Sequence, residues 1–348
     1  MIESTGSNHS IASLKRLRRR PTQTAPLGVA ARLPGCSDIP SSGSNLPRTL
    51  TYQGASAPFF PGDHKMITDR DISILVALVR YYVLNRQQIQ RLVFPNDPNG
   101  RITRRRLQLL VDEHLINRQN TLFCHPSAAP APVYHPARKG CELLADHFED
   151  QRYLLTPTAS PIPHHTFHWL AVSDTHIALD EAVSREHEVK LEGWINEWDV
   201  VNKNESQPEK HFRLYTLLRE TPRLVCVPDA AIHLSFREAS KVYYLEQDRA
   251  TSGTNQIANA KTAGYAAMAE QMLHRRHFPQ ATLDQFSVLM VAPTPKRRDA
   301  LRRAICGKPG ATLWRFAAHE DIVPARLLFE PIFFTCNDDQ PKPLLRRE

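Results

Sequence analysis

The 348-residue sequence has no apolar run approaching the roughly eighteen consecutive residues that a membrane span requires, and its N-terminus lacks the apolar core of a secretory signal. A cytoplasmic protein with no membrane partner is therefore expected. Cysteine is sparse, and Cys36, Cys124, Cys141, Cys226, Cys306 and Cys336 form no CxxC pair. Reduced thiols are expected rather than a disulfide framework. There is no GxxxxGK[ST] loop, no GxGxxG after a strand and no nucleophile elbow. These absences leave no seat for a nucleotide cofactor or for serine-hydrolase chemistry.

What is present is positive charge, unevenly placed. The net charge is +8, and residues 1–64 carry +4 of it, residues 65–148 carry +5, and residues 149–348 carry −1. The front of the chain is built to meet a polyanion, the rest for another purpose. Residues 1–64 are rich in Ser, Pro, Thr and Gly around one basic run, Lys15 to Arg20, and read as a disordered basic arm. Met66 is an alternative start, because Thr68-Asp69-Arg70-Asp71 opens a helix with a Thr cap and an acid three residues on.

Between 65 and 150 the pattern predicts three short helices and a two-stranded wing. Ile72, Leu75, Val76, Val79 and Val83 share one helix face, and Ile89 and Leu92 face inward from a second helix at 86–92. The third begins after Asn96-Asp97-Pro98-Asn99-Gly100, with Ile102, Leu107, Leu110 and Val111 inward and Arg101, Arg104, Arg105 and Arg106 outward. Residues 115–123 and 132–135 read as the wing, and Gly140 opens a fourth helix. This is the order of a winged helix-turn-helix, with double-stranded DNA as the expected partner. The outward arginines, together with Arg118, Arg138 and Lys139 near the wing, are the expected contacts to phosphates or base edges. Winged helices commonly pair, so a homodimer is expected. The bland alternative is a solvated basic helix face.

After a Pro-rich linker, residues 165–320 alternate in the manner of an α/β layer with a central mixed sheet. A helix at 165–185 precedes strands at 188–196, 224–234 and 241–246, then a helix at 255–273, a strand at 286–292, a helix at 296–305 and a strand at 313–316. Residues 337–348 read as a flexible tail. Along Lys241 to Asp248 side chains alternate, so Tyr244, Glu246 and Asp248 share a face and converge on Asp229 of the preceding strand. Like charges gathered beside an apolar sheet need a cation, a lysine or water, which makes this the expected site. Lys261, four residues before Tyr265 on the following helix, is a lysine able to answer them.

These segments resemble the replication-relaxation family of plasmid and mobile-element proteins. The resemblance rests on the Thr68 to Asp71 opening, Tyr134 to Gly140, the helix with His168 and Leu170, Val227-Pro228-Asp229-Ala230, Leu245-Glu246-Gln247-Asp248-Arg249, and Lys261 to Tyr265. It implies an accessory role in replication, relaxation or mobilisation through DNA binding. The second part is also similar to the PD-(D/E)xK nuclease core, in which an Asp after a Pro and an acid on the next strand hold Mg2+ and a nearby lysine activates water. That similarity implies Asp229 and Glu246 as metal ligands, with Glu181 as a third. Asp248 stands where the motif has its lysine, so the similarity equally implies a degenerate nuclease, with Lys261 able to supply the missing cation. A third reading makes 165–320 a platform that recruits a relaxase or a replication initiator.

Two further groupings carry less. His164, His165, His168 and His176 cluster around one helix, where His165 and His168 have a spacing that could present two imidazoles to zinc but no third ligand of the right kind is evident, and Cys124, His125, His135 and Cys141 flank the wing at spacings that match no common zinc module. Lys296-Arg297-Arg298 with Arg302 and Arg303 form a second basic face, either solvated or able to hold DNA against the acids.

Overall fold

The computed structural model describes residues 67–120, 131–201, 204 and 206–347. The expected basic arm, Met66, and the wing tip with Cys124 and His125 lie outside them.

Helix α1 (Asp69–Tyr81) starts at its predicted cap, where the Asp71 carboxylate accepts the Thr68 N–H and hydroxyl, each at 2.7 Å. Strand β1 (Leu84–Asn85) runs into α2 (Arg86–Val93), whose first turn is closed by the Asn85 side chain accepting the Gln88 N–H at 2.9 Å. Helix α3 (Arg101–Asp112) follows Gly100, which sits at φ +61°, a backbone region that suits glycine. Its free N–H groups are met by Asp97, which also accepts the Thr103 hydroxyl at 2.8 Å. Strands β2 (Ile116–Asn120) and β3 (Pro132–Pro136) pair antiparallel, and β1 adds to β3 to give the order β1-β3-β2. Helix α4 (Arg138–His147) returns so closely that a Cβ on Gly140 would lie 2.1 Å from the Leu115 carbonyl oxygen.

One apolar cluster holds these elements together, with Ile74, Leu78, Leu84, Ile89, Leu107, Leu110 and Leu144 buried in it. Ile102 departs from expectation and is 40% exposed, because the inward stripe of α3 is Thr103, Leu107 and Leu110 and leaves it on the flank.

Helix α5 (Pro163–Ser184) then leads into a seven-stranded mixed sheet. The chain runs through β4 (Val189–Asn196), β5 (Thr216–Arg219), β6 (Leu224–Cys226), β7 (Ala230–Phe236), β8 (Ala239–Gln247), α6 (Thr254–Glu270), β9 (Ser287–Ala292), α7 (Pro295–Ile305), β10 (Trp314–Ala318), β11 (Phe333–Thr335) and β12 (Asp338–Lys342). The sheet order is β12-β11-β10-β9-β8-β7-β4, parallel across β8, β9 and β10 and antiparallel toward both edges. Helix α5 covers the face that carries Tyr243, Leu245, Leu289 and Val291. Helices α6 and α7 cover the face of Val242, Tyr244, Val288 and Met290. The alternation read in β8 therefore holds residue by residue.

Three expectations are corrected. The strand expected at 224–234 is two strands, β6 pairing with β5 and β7 entering the main sheet. The break falls at Val227-Pro228-Asp229, where proline has no N–H for a ladder. The stretch 337–348, expected as a flexible tail, instead supplies β12, and its Leu344 is buried beneath the sheet, so the α/β part continues past 320. Cys306 and Cys336, expected as reduced thiols, are joined as a disulfide with Cα atoms 5.2 Å apart, since the end of α7 lies beside β11. Cys141 and Cys226 are free and buried. Among the described residues no helix is long and apolar enough to cross a membrane.

Candidate functional site

Sheet register builds the acidic site. Asn196 of β4 pairs with Ala230 of β7, which pairs with Leu245 of β8. Next to these paired positions come Glu197, just past β4, Asp229, just before β7, and Glu246, still within β8, so the register brings three acids together at one end of the sheet.

Each acid finds a different answer to the crowding. Glu246 is buried on the α6 side, where its Oε1 accepts the Tyr265 hydroxyl at 2.5 Å and its Oε2 lies 2.9 Å from Lys261 Nζ. Lys261 also donates to the Val227 carbonyl at 3.0 Å. Burial pushes the Glu246 carboxyl up to about 7, and Lys261 pulls against that shift. Asp229 accepts the Gln247 N–H at 2.6 Å and lies 3.4 Å from His168 Nε2 of α5. Burial favours its neutral form, but His168, Lys261 and the Gln247 N–H outweigh that and hold it below the usual carboxylate range. Glu197, directly after β4, accepts the Trp169 indole N–H, and burial followed by repulsion from Asp229 raises its pKa. Burial opposes charge on His168 too, yet Asp229, Glu197 and Glu246 together raise it to about 9. The imidazole is thus a cation at neutral pH, answering the acids jointly with Lys261.

One ligand atom each from His168, Glu197 and Asp229 fall within 4.8 Å of one another. Glu197 was missed in the sequence because it lies in a turn, where no periodicity singles it out. The run Glu197-Trp198-Asp199 after a strand end was the available signal.

Two expected members are elsewhere. Asp248, one residue past β8, is gripped by Arg297 of α7, with Nε to Oδ2 at 2.7 Å and Nη2 to Oδ1 at 3.2 Å. Glu181, expected as a third metal ligand, is bonded through both oxygens to Arg91 of α2 at 2.8 Å each. The set Asp229, Glu246 and Glu181 therefore does not assemble. Glu181 belongs to a clamp along α5. Asp180 accepts Arg80 Nε at 2.7 Å and the Tyr81 hydroxyl at 2.6 Å, Asp174 accepts Gln88 at 2.7 Å, and the Ser173 hydroxyl bonds the carbonyls of Tyr81 and Val83 at 3.2 Å. The acids that interrupt the apolar side of α5 are the grip on α1 and α2.

The basic residues divide in the same way. Arg101, Arg104 and Arg105 are exposed on α3, and Arg118 is exposed on β2. Arg106, expected beside them, turns inward to bond both oxygens of Asp71, which is fully buried. It directly follows Arg105, and that one residue rotates it by about 100° toward the buried stripe of Thr103, Leu107 and Leu110. Arg138 and Lys139 are exposed but engaged, Arg138 with Glu142 at 2.8 Å and Lys139 with the Glu113 carbonyl at 3.1 Å. The second basic face is spent only in part: Arg297 holds Asp248, Arg298 lies beside Asp299 and Asp321, and Arg302 bonds the Thr335 and Asp338 carbonyls and Asp339, while Lys296 and Arg303 are exposed.

These features define a mixed α/β protein with a basic helical front and an acidic row at one end of its sheet. The chain belongs to the replication-relaxation family, whose profile matches residues 75–280, more than half of its length. No curated protein matches it at a significant level. Among solved structures, the restriction endonuclease FokI is similar at 11% identity and a TM-score of 0.26, over 73% of this chain and 42% of that one. The chain thus spans less than half of that enzyme's length, and the two share too little geometry for residues to be matched.

Proposed function

We propose that this chain is a DNA-binding accessory protein in the replication, relaxation or mobilisation of a plasmid or mobile element, with a winged helix-turn-helix as its reader. The observation that carries this reading is the outer face of α3, where Arg101, Arg104 and Arg105 are exposed and have no carboxylate partner among the described residues, while Arg106 is anchored to Asp71. A helix fits the major groove of a duplex, and unpaired arginines on it neutralise phosphates or bond guanine edges. The element order and the β1-β3-β2 sheet beside α3 support the winged form. Binding of duplex DNA measured across a salt series tests it. Affinity indifferent to salt, or unchanged in Arg104→Glu/Arg105→Glu, would sink the assignment.

A second reading, a metal-dependent endonuclease of the PD-(D/E)xK type, is favoured by the acidic row, with Asp229 after Pro228, Glu246 on the next strand and Lys261 beside it. Glu246 is already satisfied by Lys261 and Tyr265, so the groups left to hold an ion are His168, Glu197 and Asp229, and an ion there would have to displace the proton that the neighbouring acids hold on His168. One imidazole and two carboxylates suit Mn2+ or a similar first-row ion better than Mg2+, which prefers oxygen ligands. A bound divalent ion would supply an activated water for phosphodiester cleavage. The chain's own part is to orient that ion through Asp229 and to keep a lysine charge beside it. Supercoiled plasmid incubated with Mn2+ or Mg2+ decides: cleavage or nicking that Asp229→Ala abolishes while DNA binding persists supports the enzyme. No cleavage with either ion leaves the binding role and a degenerate nuclease-like fold.

A further inference from the structure

The sheet face covered by α5 carries, away from the acidic row, a feature that DNA binding does not use. Lys241 leaves β8 on the same face as Tyr243, and Arg315 leaves β10 on the same face as Ala317. Between them and the chain that follows β12 lies a cavity of about 260 Å³. Its walls include Leu234, Tyr243 and Leu344, and its basic groups are Lys241, Arg315, Lys342 and Arg346, with no carboxylate residue among the lining side chains.

The cations are poorly answered. Lys342 lies 3.1 Å from Asp338, but Arg315 donates only to the neutral Pro343 carbonyl at 3.0 Å. Lys241 has the ring of Tyr243 as its neighbour, with Nζ 5.5 Å from the centroid. Burial and then repulsion from Arg315 lower the Lys241 pKa to about 8. Two like charges lining one cavity and repelling each other against apolar walls carry a cost that a counterion would remove. The cavity is slightly smaller than the usual range for drug-sized ligands, about 300 to 1,000 Å³, so its occupant is small.

We propose that this cavity binds a small organic anion, with one carboxylate or phosphate group between Lys241 and Arg315 and an apolar body against Leu234, Tyr243 and Leu344. The site is separate from α3 and from the acidic row, so the proposal does not rest on either functional reading. Calorimetric titration of the full chain with benzoate, phenyl phosphate, inorganic phosphate and neutral benzyl alcohol tests it. Expected is saturable binding of benzoate or phenyl phosphate, whichever head group the cations prefer, at least tenfold tighter than inorganic phosphate or the alcohol. Lys241→Met and Arg315→Met should each weaken that binding tenfold or more, while duplex DNA binding, as a control for folding, stays unchanged. Lys241→Met removes a desolvated charge at nearly constant volume, so it should fold. The proposal is overturned if neither aromatic anion binds saturably, if inorganic phosphate or the alcohol binds as well as they do, or if both folded variants bind unchanged.

Discussion

The outer face of α3 and the end of the sheet treat charge in opposite ways. On α3, Arg101, Arg104 and Arg105 are exposed with no carboxylate partner among the described residues, whereas at the sheet end Glu197, Asp229 and Glu246 are crowded together and answered by His168, Lys261, Trp169, Tyr265 and a backbone N–H. Free surface charge contributes little to folding and remains available to a partner. Clustered, partly buried charge is costly and persists only where a network holds it. The lesson is that accessibility, more than the number of charges, separates a surface waiting for a ligand from one already committed inside the protein. Arg106 makes the point within a single helix, since one residue after Arg105, a rotation of about 100°, takes an arginine from solvent to a buried aspartate.

The largest effect should come from a committed charge. Asp180→Ala leaves Arg80 and Tyr81 without their shared acceptor and should destabilise the fold by about 3 kcal/mol, read as a lower midpoint in urea. An unchanged midpoint would mean that the clamp along α5 is ornamental. On the uncommitted side, Arg104→Glu/Arg105→Glu should leave that midpoint within about 0.5 kcal/mol of the parent. The same variant should weaken duplex binding by more than tenfold and flatten its salt slope by about two units. Loss of folding in this variant would erase the contrast between the two regions.

His168 gives a subtler effect, read through pH. Its folded pKa is raised from 6.5 to about 9, so the stability it contributes is complete below about 6.5 and disappears as pH rises through about 9. His168→Gln should flatten the decline of stability in that window. Glu246 is also raised, to about 7, so the same sign applies to it in a lower window, and the two contributions are separable by titration. A decline of the same size in His168→Gln would show that the imidazole does not answer the acids. Smallest of all should be Arg138→Ala, whose exposed i,i+4 pair with Glu142 is worth under about 0.5 kcal/mol, checked in the same urea series.

Much of the architecture could be read from local pattern. The Thr68 to Asp71 cap, the inward stripe of α3 at Leu107 and Leu110, and the alternation of Tyr243, Tyr244, Leu245 and Glu246 all depend on residues within a turn or two of each other. What escaped depends on partners far along the chain. Asp174 and Glu181 interrupt an apolar helix side, and nothing near them shows that Gln88 and Arg91 close those gaps. Asp248 has the right parity for the acidic row, but Arg297, forty-nine residues further along on α7, takes it. Glu197 joins Asp229 and Glu246 only once strand register is known, because the row runs across β4, β7 and β8 and not along any of them. The tail looked frayed because Asp338, Asp339 and Pro341 are poor strand formers, yet pairing with β11 overrides that weak preference.

Helix α5 touches the acidic row through His168 and Trp169 and holds α1 and α2 through Ser173, Asp174, Asp180 and Glu181. From His168 to Glu181 is thirteen residues, about 20 Å of continuous helix at 1.5 Å each. A single continuous helix therefore fixes both the imidazole that faces Asp229 and the seat of α1 and α2, with no loop between them.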